Sequence, residues 1–584
     1  MTQQETVCSL AATDAFGRSF GKVDTVDSKK KVGLFYFLWC GRHGSASQDN
    51  AKLTAEEQKS TVNIGVHHYW AEPLYGYYDS GDPWVIRKHV ELFIMAGIDY
   101  LALDTTNGLY WETSSDADYR PAVFTLLDIL SEYRAQGWSV PQIMFYTHTF
   151  SAVNVQKIYD AFYDTENNPS LKKYEPLWFN FEDTDSLNRA RKPWIVADDD
   201  FDTLPEKVQE RFYKKDSQWP NEKDSNGKLW MKDNGMPWMS WTSAKDGYKQ
   251  YNHNGIMSVS IAQHTSGAFS DSVLLNSRDA NRGRGFSQTD GTNNADRVEQ
   301  GSNFQEQWDY AVLQGDAVNN IFITGWNEWV AQKQAPGYNH TECYFVDCFN
   351  EEFSRDAEMM KGGYGDAFYL QIANNIRLFK GLDAPGLQTN PWSTTIDIDG
   401  DLSQWEGTTG FLDLTGDTVK RSYKSANKSL PDYTDQSGRN DIASVRTTYD
   451  KDNLYFLVAC VSDITEYDGA ENWMNIFISA NGVSGDNWEN YQFVINRSVS
   501  GNTSSVERLQ KDGASSRIGS AKIKRSGKNL IVSVPRDILQ LNGEAFGFQF
   551  KIADHVTEYK DISDYYVSGD VAPIGRLNYS VRVK

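Results

Sequence analysis

Cysteine is scarce in this sequence, with 5 among 584 residues, at positions 8, 40, 343, 348 and 460. No disulfide framework is therefore expected to hold so large a chain, although Cys343 and Cys348 lie in one short segment and could pair. No C-x-x-C or H-E-x-x-H spacing announces a metal centre. Basic residues are in deficit, 57 against 79 acidic ones, for a net charge of −22. A chain so acidic repels polyphosphate, which excludes nucleic acid and anionic membrane surfaces as partners. Long apolar runs are missing too: the longest, Val32–Cys40, falls far short of the ~20 residues a membrane helix needs. Neither a Walker-type nor a dinucleotide-binding Gly-rich loop occurs. A G-x-S-x-G match at Gly17–Gly21 has no apolar strand before it and reads as chance. The opening Met1-Thr-Gln-Gln-Glu5 lacks the basic and apolar parts of a signal peptide. The acidic, Trp-rich composition still favours an extracytoplasmic protein (secreted, periplasmic or anchored at the cell surface) whose signal peptide is not in this chain. It is expected to be a monomer.

Aromatic residues, by contrast, are plentiful: 18 Trp, 31 Tyr and 29 Phe. Their flat faces and polar edges suit stacking on sugar rings, and equally suit filling a large core. From residue 31 to 381 apolar strands alternate with helical patterns, the rhythm of βα units. Strands are expected at Val32–Trp39, Ile98–Asp104, Gln142–Thr147, Pro193–Ala197, Ile256–Gln263 and Asn320–Thr324. Asp82-Pro83 opens a helix that Gly97 closes; others run over Val123–Tyr133 and from Asp366 to Lys380, stopping at Gly381. This fits a (β/α)8 TIM-type barrel with long loops. Residues 1–30 form an N-terminal leader, and 382–392, with two prolines and no period, a linker. Residues 393–584 then show short alternating runs: Ala443–Tyr449, Leu454–Val461, Trp473–Ser479, Tyr491–Asn496, Leu530–Val534 and Phe546–Ile552. The fold class is therefore multidomain, a barrel followed by an all-β sandwich.

In such barrels the reacting groups sit at the carboxyl ends of the strands. That rule selects Asp104 with Asn107 beside it, His148, Asp198, His264 and Glu328. A lone Asp at a strand end is often a turn former, and the histidines fit equally as ordinary hydrogen-bonded ones. Glu328 stands out because Trp326 and Trp329 flank it, an apolar wall expected to raise the carboxyl's hold on its proton. Two carboxylates on an aromatic-rich barrel suggest glycoside hydrolysis, one acid protonating the leaving oxygen and the second acting as base or nucleophile. Glu328 and Asp104 are the candidate catalytic pair, with Asp198 and Asp271 next in line. The substrate, a poly- or oligosaccharide, would meet His68, Tyr69, Trp70, Asn107, His148, His264, Trp326, Asn327 and Trp329. A glycan-binding protein on a degenerate hydrolase barrel is the alternative.

Two stretches carry a family resemblance. Tyr77-Tyr-Asp79-Ser-Gly-Asp82-Pro83-Trp-Val-Ile-Arg87 with Ala96-Gly-Ile-Asp-Tyr100, and Ile323-Thr-Gly-Trp-Asn327-Glu328-Trp329, resemble glycoside hydrolase family 99 and the related WbsX-like barrels. His68-Tyr69-Trp70 is similar to an element of the same group. The resemblance implies a barrel that cleaves or binds glycans. It also implies a second Glu three residues after Glu328, where this chain has Ala331, so only Glu328 carries over. In the sandwich, Thr395-Ile-Asp397-Ile-Asp399-Gly-Asp401-Leu-Ser-Gln-Trp405, Asn472–Phe477 and Trp488–Asn496 resemble family 9 carbohydrate-binding modules and their DOMON-like relatives. Trp473 and Trp488 suit a core or a sugar platform equally. No cofactor is required by this reading, and the acidic run at Asp399 offers the hard oxygens that a structural Ca2+ takes.

Overall fold

The structure, a computed structural model, describes residues 2–20, 29–42, 46–111, 114–181, 192–219, 226, 230–238, 250–263, 281–337, 342–346, 348–381, 393–483 and 487–583. His264, Asp271 and the linker 382–392 lie outside the described residues.

Eight parallel strands form the first domain: β1 Lys31–Tyr36, β2 Tyr100–Asp104, β3 Gln142–Tyr146, β4 Trp194–Ala197, β5 Tyr213–Gln218, β6 Gly235–Pro237, β7 Ile256–Val259 and β8 Asn320–Ile323. Their hydrogen-bonded order is β6-β5-β4-β3-β2-β1-β8-β7, each strand beside its neighbour in sequence, with β1 pairing β8. This is the order of a (β/α)8 barrel, nearly closed. Across the remaining seam, between β6 and β7, His253 Nδ1 lies 2.7 Å from the carbonyl of Lys232.

Alternation along the strands decides what faces inward. Phe35, Tyr100, Met144, Trp194, Met236 and Phe322 fill the barrel interior as one cluster. Their neighbours Leu34, Leu101, Ile143, Ile195 and Ile321 face outward into the core shared with the helices. Each such side chain stabilises the fold by roughly 1.5–3 kcal/mol relative to exposure.

The covering helices are α1 Pro83–Ala96, α2 Arg120–Ala135, α3 Ser151–Ile158, α4 Glu206–Arg211, α5 Ser302–Leu313 and α6 Ala367–Lys380. Asp82 caps α1 by accepting the Trp84 amide at 3.0 Å, Pro83 needs no amide partner at its first turn, and Gly97 ends it at φ 82°. None of the described helices is long and apolar enough to cross a membrane.

The second domain is one long antiparallel sheet that folds over on itself. From edge to edge it runs Leu10–Ala11, Asn578–Val583, Phe546–Asp554, Asn475–Ala480, Phe493–Ser500, Thr503–Leu509, Ser515–Ser526, Asn529–Pro535, Asn453–Cys460, Ile442–Tyr449 and Thr409–Leu412. Its two limbs meet through aromatic rings, with Phe456 5.2 Å and Phe411 5.5 Å from Phe550. Trp473 and Trp488 are buried in this domain, not displayed as platforms.

The leader is part of both domains. Leu10 and Ala11 pair with Tyr579 and Asn578, while Arg377 of α6 donates to the carbonyls of Val7 and Cys8. Ion pairs also cross between barrel and sandwich, Asp82 with Arg421 and Asp366 with Arg576, each at 2.8 Å. The conspicuous Asp82-Pro83 pair thus starts a helix and anchors the sandwich.

Candidate active site

The inward parity of each strand continues one step past its end and places a polar group over the barrel core. Asp104 follows Tyr100 and Ala102, His148 follows Met144 and Tyr146, and Asp198 follows Trp194 and Val196. On the less apolar strands the same parity gives Ser217 and Trp219 after Lys215, and Trp238 after Met236. Five of them, His148, Asp198, Ser217, Trp219 and Trp238, meet. His148 Nδ1 lies 3.1 Å from both Asp198 Oδ2 and Ser217 Oγ. The His148 ring sits 4.3 Å from Trp219, which sits 4.1 Å from Trp238. The Arg355 guanidinium lies 4.6 Å over Trp238, and its Nη2 donates to Glu328 Oε2 at 2.6 Å. A continuous wall of charged and aromatic groups therefore runs from β4 across β6 to the end of β8.

Glu328 is aimed by its neighbours. The Trp326 amide donates to Phe35 O at 3.0 Å, and Asn327 accepts from the Phe37 amide (2.9 Å) and donates to its carbonyl (3.0 Å). The Glu328 amide donates to Asp356 Oδ1 at 2.7 Å, and its carbonyl accepts from Trp70 Nε1 at 3.1 Å. Trp329 Nε1 donates to the buried carboxylate of Glu358, which also holds His89 (2.8 Å) and the Tyr78 hydroxyl (2.6 Å). The backbone of this segment is thus tied on several sides, and the Glu328 carboxylate meets Arg355. Gly325 permits the close approach, since a Cβ there would lie 2.5 Å from the carbonyl of Arg355.

The expected apolar wall is not where the sequence put it. Trp326 packs against Phe93 and His89, and Trp329 stacks on Trp70 at 4.3 Å. Trp70, Trp326 and Trp329 are fully buried and cannot stack on a sugar. Tyr69 and His68 are equally buried, the one beside Tyr77 and Cys40, the other with Nδ1 3.0 Å from Asn50 Oδ1. Burial lowers the His68 imidazole to about 4, so it is neutral at pH 7. Asn327 is a structural brace.

What flanks Glu328 is a cation. Arg355 is 1% exposed and the Glu328 side chain 12%, a setting in which the guanidinium favours the ionised carboxylate. Asp356, behind it, is raised to about 6 by burial, offset in part by the Glu328 amide and Arg355. Asp104 ends β2, separated from β8 by β1 alone, with Oδ1 accepting the Thr106 amide at 3.0 Å. Asn107 is exposed beside it and His148 is half-buried at the rim. Asp104, Asn107, His148 and Glu328 thus lie at or just past strand ends, His68, Tyr69, Trp70, Trp326, Asn327 and Trp329 lie in the core, and Arg355, Trp219 and Trp238 join the wall.

No family model and no curated protein matches the chain. Among solved structures, the GH99 endo-alpha-mannosidase of Bacteroides thetaiotaomicron is similar at 15% identity over 61% of this chain and 98% of that one, with a TM-score of 0.33 alone and 0.32 in complex with bis-tris-propane. A family 9 carbohydrate-binding module of Caldicellulosiruptor kristjanssonii in complex with glucose is similar at 11% identity, over 33% of this chain and 84% of that one, with a TM-score of 0.17. Their names are those of the two families that the sequence stretches resemble.

Proposed function

We propose that the chain is a glycoside hydrolase that cleaves a poly- or oligosaccharide at the barrel mouth. The observation that supports the reading is the run of contacts from the Asp198–His148 pair through Trp219, Trp238 and Arg355 to Glu328, carboxylates beside aromatic rings, with Asp104 ending a strand of the same barrel. The motifs at Tyr77–Arg87 and Ile323–Trp329 point to the same chemistry. Held ionised by Arg355, Glu328 acts as the nucleophile or as the base that activates water, a reversal of the proton-donor role its tryptophans suggested. Asp104 then protonates the leaving oxygen. Incubating the chain with a panel of glycans and following reducing ends tests the reading, and proton NMR of the first-formed anomer separates retention from inversion. No released sugar from any glycan that the chain binds would overturn it.

A second reading, binding without turnover, is favoured by Ala331, which lies in a strand opposite His68 where the resemblance implies a second Glu. Binding isotherms without product formation select it.

A further inference from the structure

The charges buried between sandwich and barrel do not balance. Asp413, Asp417, Asp441 and Asp570 of the sandwich gather opposite Glu91 of α1. The ammonium that faces them is Lys88, 3.6 Å from Glu91, while Arg87 is committed to Glu132 by bonds of 2.8 and 3.0 Å. Asp417, Asp441 and Asp570 each bring one carboxylate oxygen to within 4.8 Å of the others. Part of this set is satisfied: Asp441 Oδ2 accepts the Gly416 amide at 2.9 Å, and Asp570 Oδ2 the Ile442 amide at 2.6 Å. Oδ1 of Asp417, Asp441 and Asp570 meets no hydrogen-bond donor although each atom is buried, and neither does either oxygen of Asp413. Asp413, Asp417 and Asp570 are all 4% exposed or less. Burial first, and mutual repulsion second, push the Asp413 and Asp570 carboxyls well above the ordinary range. Left ionised, such a group calls for a counter-charge larger than one lysine.

We propose that Asp417, Asp441 and Asp570 bind one divalent cation, Ca2+ by their ligand chemistry, in a cage that the barrel helix α1 closes with Lys88 and Glu91. The three ligands are all hard carboxylate oxygens. They come from three separate places in the chain, which suits the irregular, oxygen-rich sphere of Ca2+ better than the strict octahedron of Mg2+. The run at Asp399, which the sequence suggested for this ion, is a solvated turn. The Asp399 side chain is 76% exposed and 3.5 Å from Lys524, Asp397 accepts the Asp399 amide, and Asp401 caps the turn at Ser403.

The test uses the full chain stripped with EDTA, then dialysed against radioactive calcium and melted with CaCl2 or MgCl2. One Ca2+ per chain is expected, with a rise in Tm of several degrees that MgCl2 reproduces only in part. The double variant Asp417→Asn/Asp570→Asn loses the bound ion and the shift, and in EDTA it melts above the wild type because the repulsion is gone. Should the double variant not fold, the single Asp417→Asn is read for at least a tenfold loss of Ca2+ affinity. Asp399→Asn keeps the ion. A stripped wild type that takes up no Ca2+ at millimolar concentration overturns the site, as does wild-type binding by the cage variants or loss of the ion in Asp399→Asn.

Discussion

The barrel mouth and the seam beside α1 both bring carboxylates into poorly hydrated surroundings, and they neutralise them in different ways. At the mouth each acid has its own partner: Arg355 for Glu328, His148 for Asp198, the Glu328 amide for Asp356. At the seam Asp417, Asp441 and Asp570 turn oxygens toward one another. Individual partners keep the charge of each acid local, which acid–base chemistry needs. A shared cluster fixes only a total charge, which suits a structural role. The same residue type thus becomes a reagent or a joint according to whether its counter-charge is private or common.

The largest expected effect strips the mouth of its reagent. Glu328→Gln keeps the shape and removes the ionisable group, so hydrolysis falls by about 10³-fold or more; the fold is retained, at a lower Tm because buried Arg355 loses its counter-charge. Near wild-type turnover would exclude Glu328 from the reaction. Next, Arg355→Met removes the private partner. Stability falls by about 3–5 kcal/mol in a denaturant titration, as for other broken buried pairs. Hydrolysis falls as well, because the guanidinium no longer holds the Glu328 carboxylate in place. An unchanged kcat/KM would mean that Arg355 does not position Glu328.

His253, at the seam between β6 and β7, sharpens the comparison from the other side: it is buried with no charge to balance. Burial lowers it to about 4, against the 6.5 of an exposed imidazole. Between those values the unfolded chain binds a proton that the folded chain refuses, so stability falls as pH drops through that window, by up to about 3 kcal/mol. His253→Gln should flatten this part of the stability–pH curve, and an unchanged slope would refute the assignment. The smallest effect belongs to the seam itself. In EDTA at pH 7, Asp413→Asn should gain about 1 kcal/mol by removing one repelling charge. The folded carboxyl is raised, so the wild type recovers stability on acidification toward pH 5 and the gap closes. A variant less stable than the wild type at pH 7 would show that Asp413 is already compensated.

Much of the barrel is legible because outward and inward faces of β1, β2, β3 and β8 are both apolar. β5 is not legible: Tyr213-Lys-Lys-Asp-Ser-Gln218 points Lys215 and Ser217 inward and pairs Lys214 with Asp216 outside at 3.0 Å, leaving no apolar signal. With β5 and the three-residue β6 unseen, Trp219 and Trp238 had no strand ends to mark them. Arg355, Asp356 and Glu358 sit in a charged run that reads as solvated, although all three are buried. The motif Trp326–Trp329 was legible as a place and not as an orientation, since which neighbour faces solvent is set by Phe35, Asp356 and Glu358, far away in sequence.

The pairing of Leu10 and Ala11 with Tyr579 and Asn578 has a consequence for how the molecule is made. A ribosome delivers the first of these strands long before the second. The barrel strands between them can find one another while the chain is still growing, but the edge of the sheet must wait with its hydrogen bonds open. Loss of the strand Asn578–Val583 would therefore unfasten Leu10 and Ala11, and Arg377 would then hold a segment with nowhere to dock.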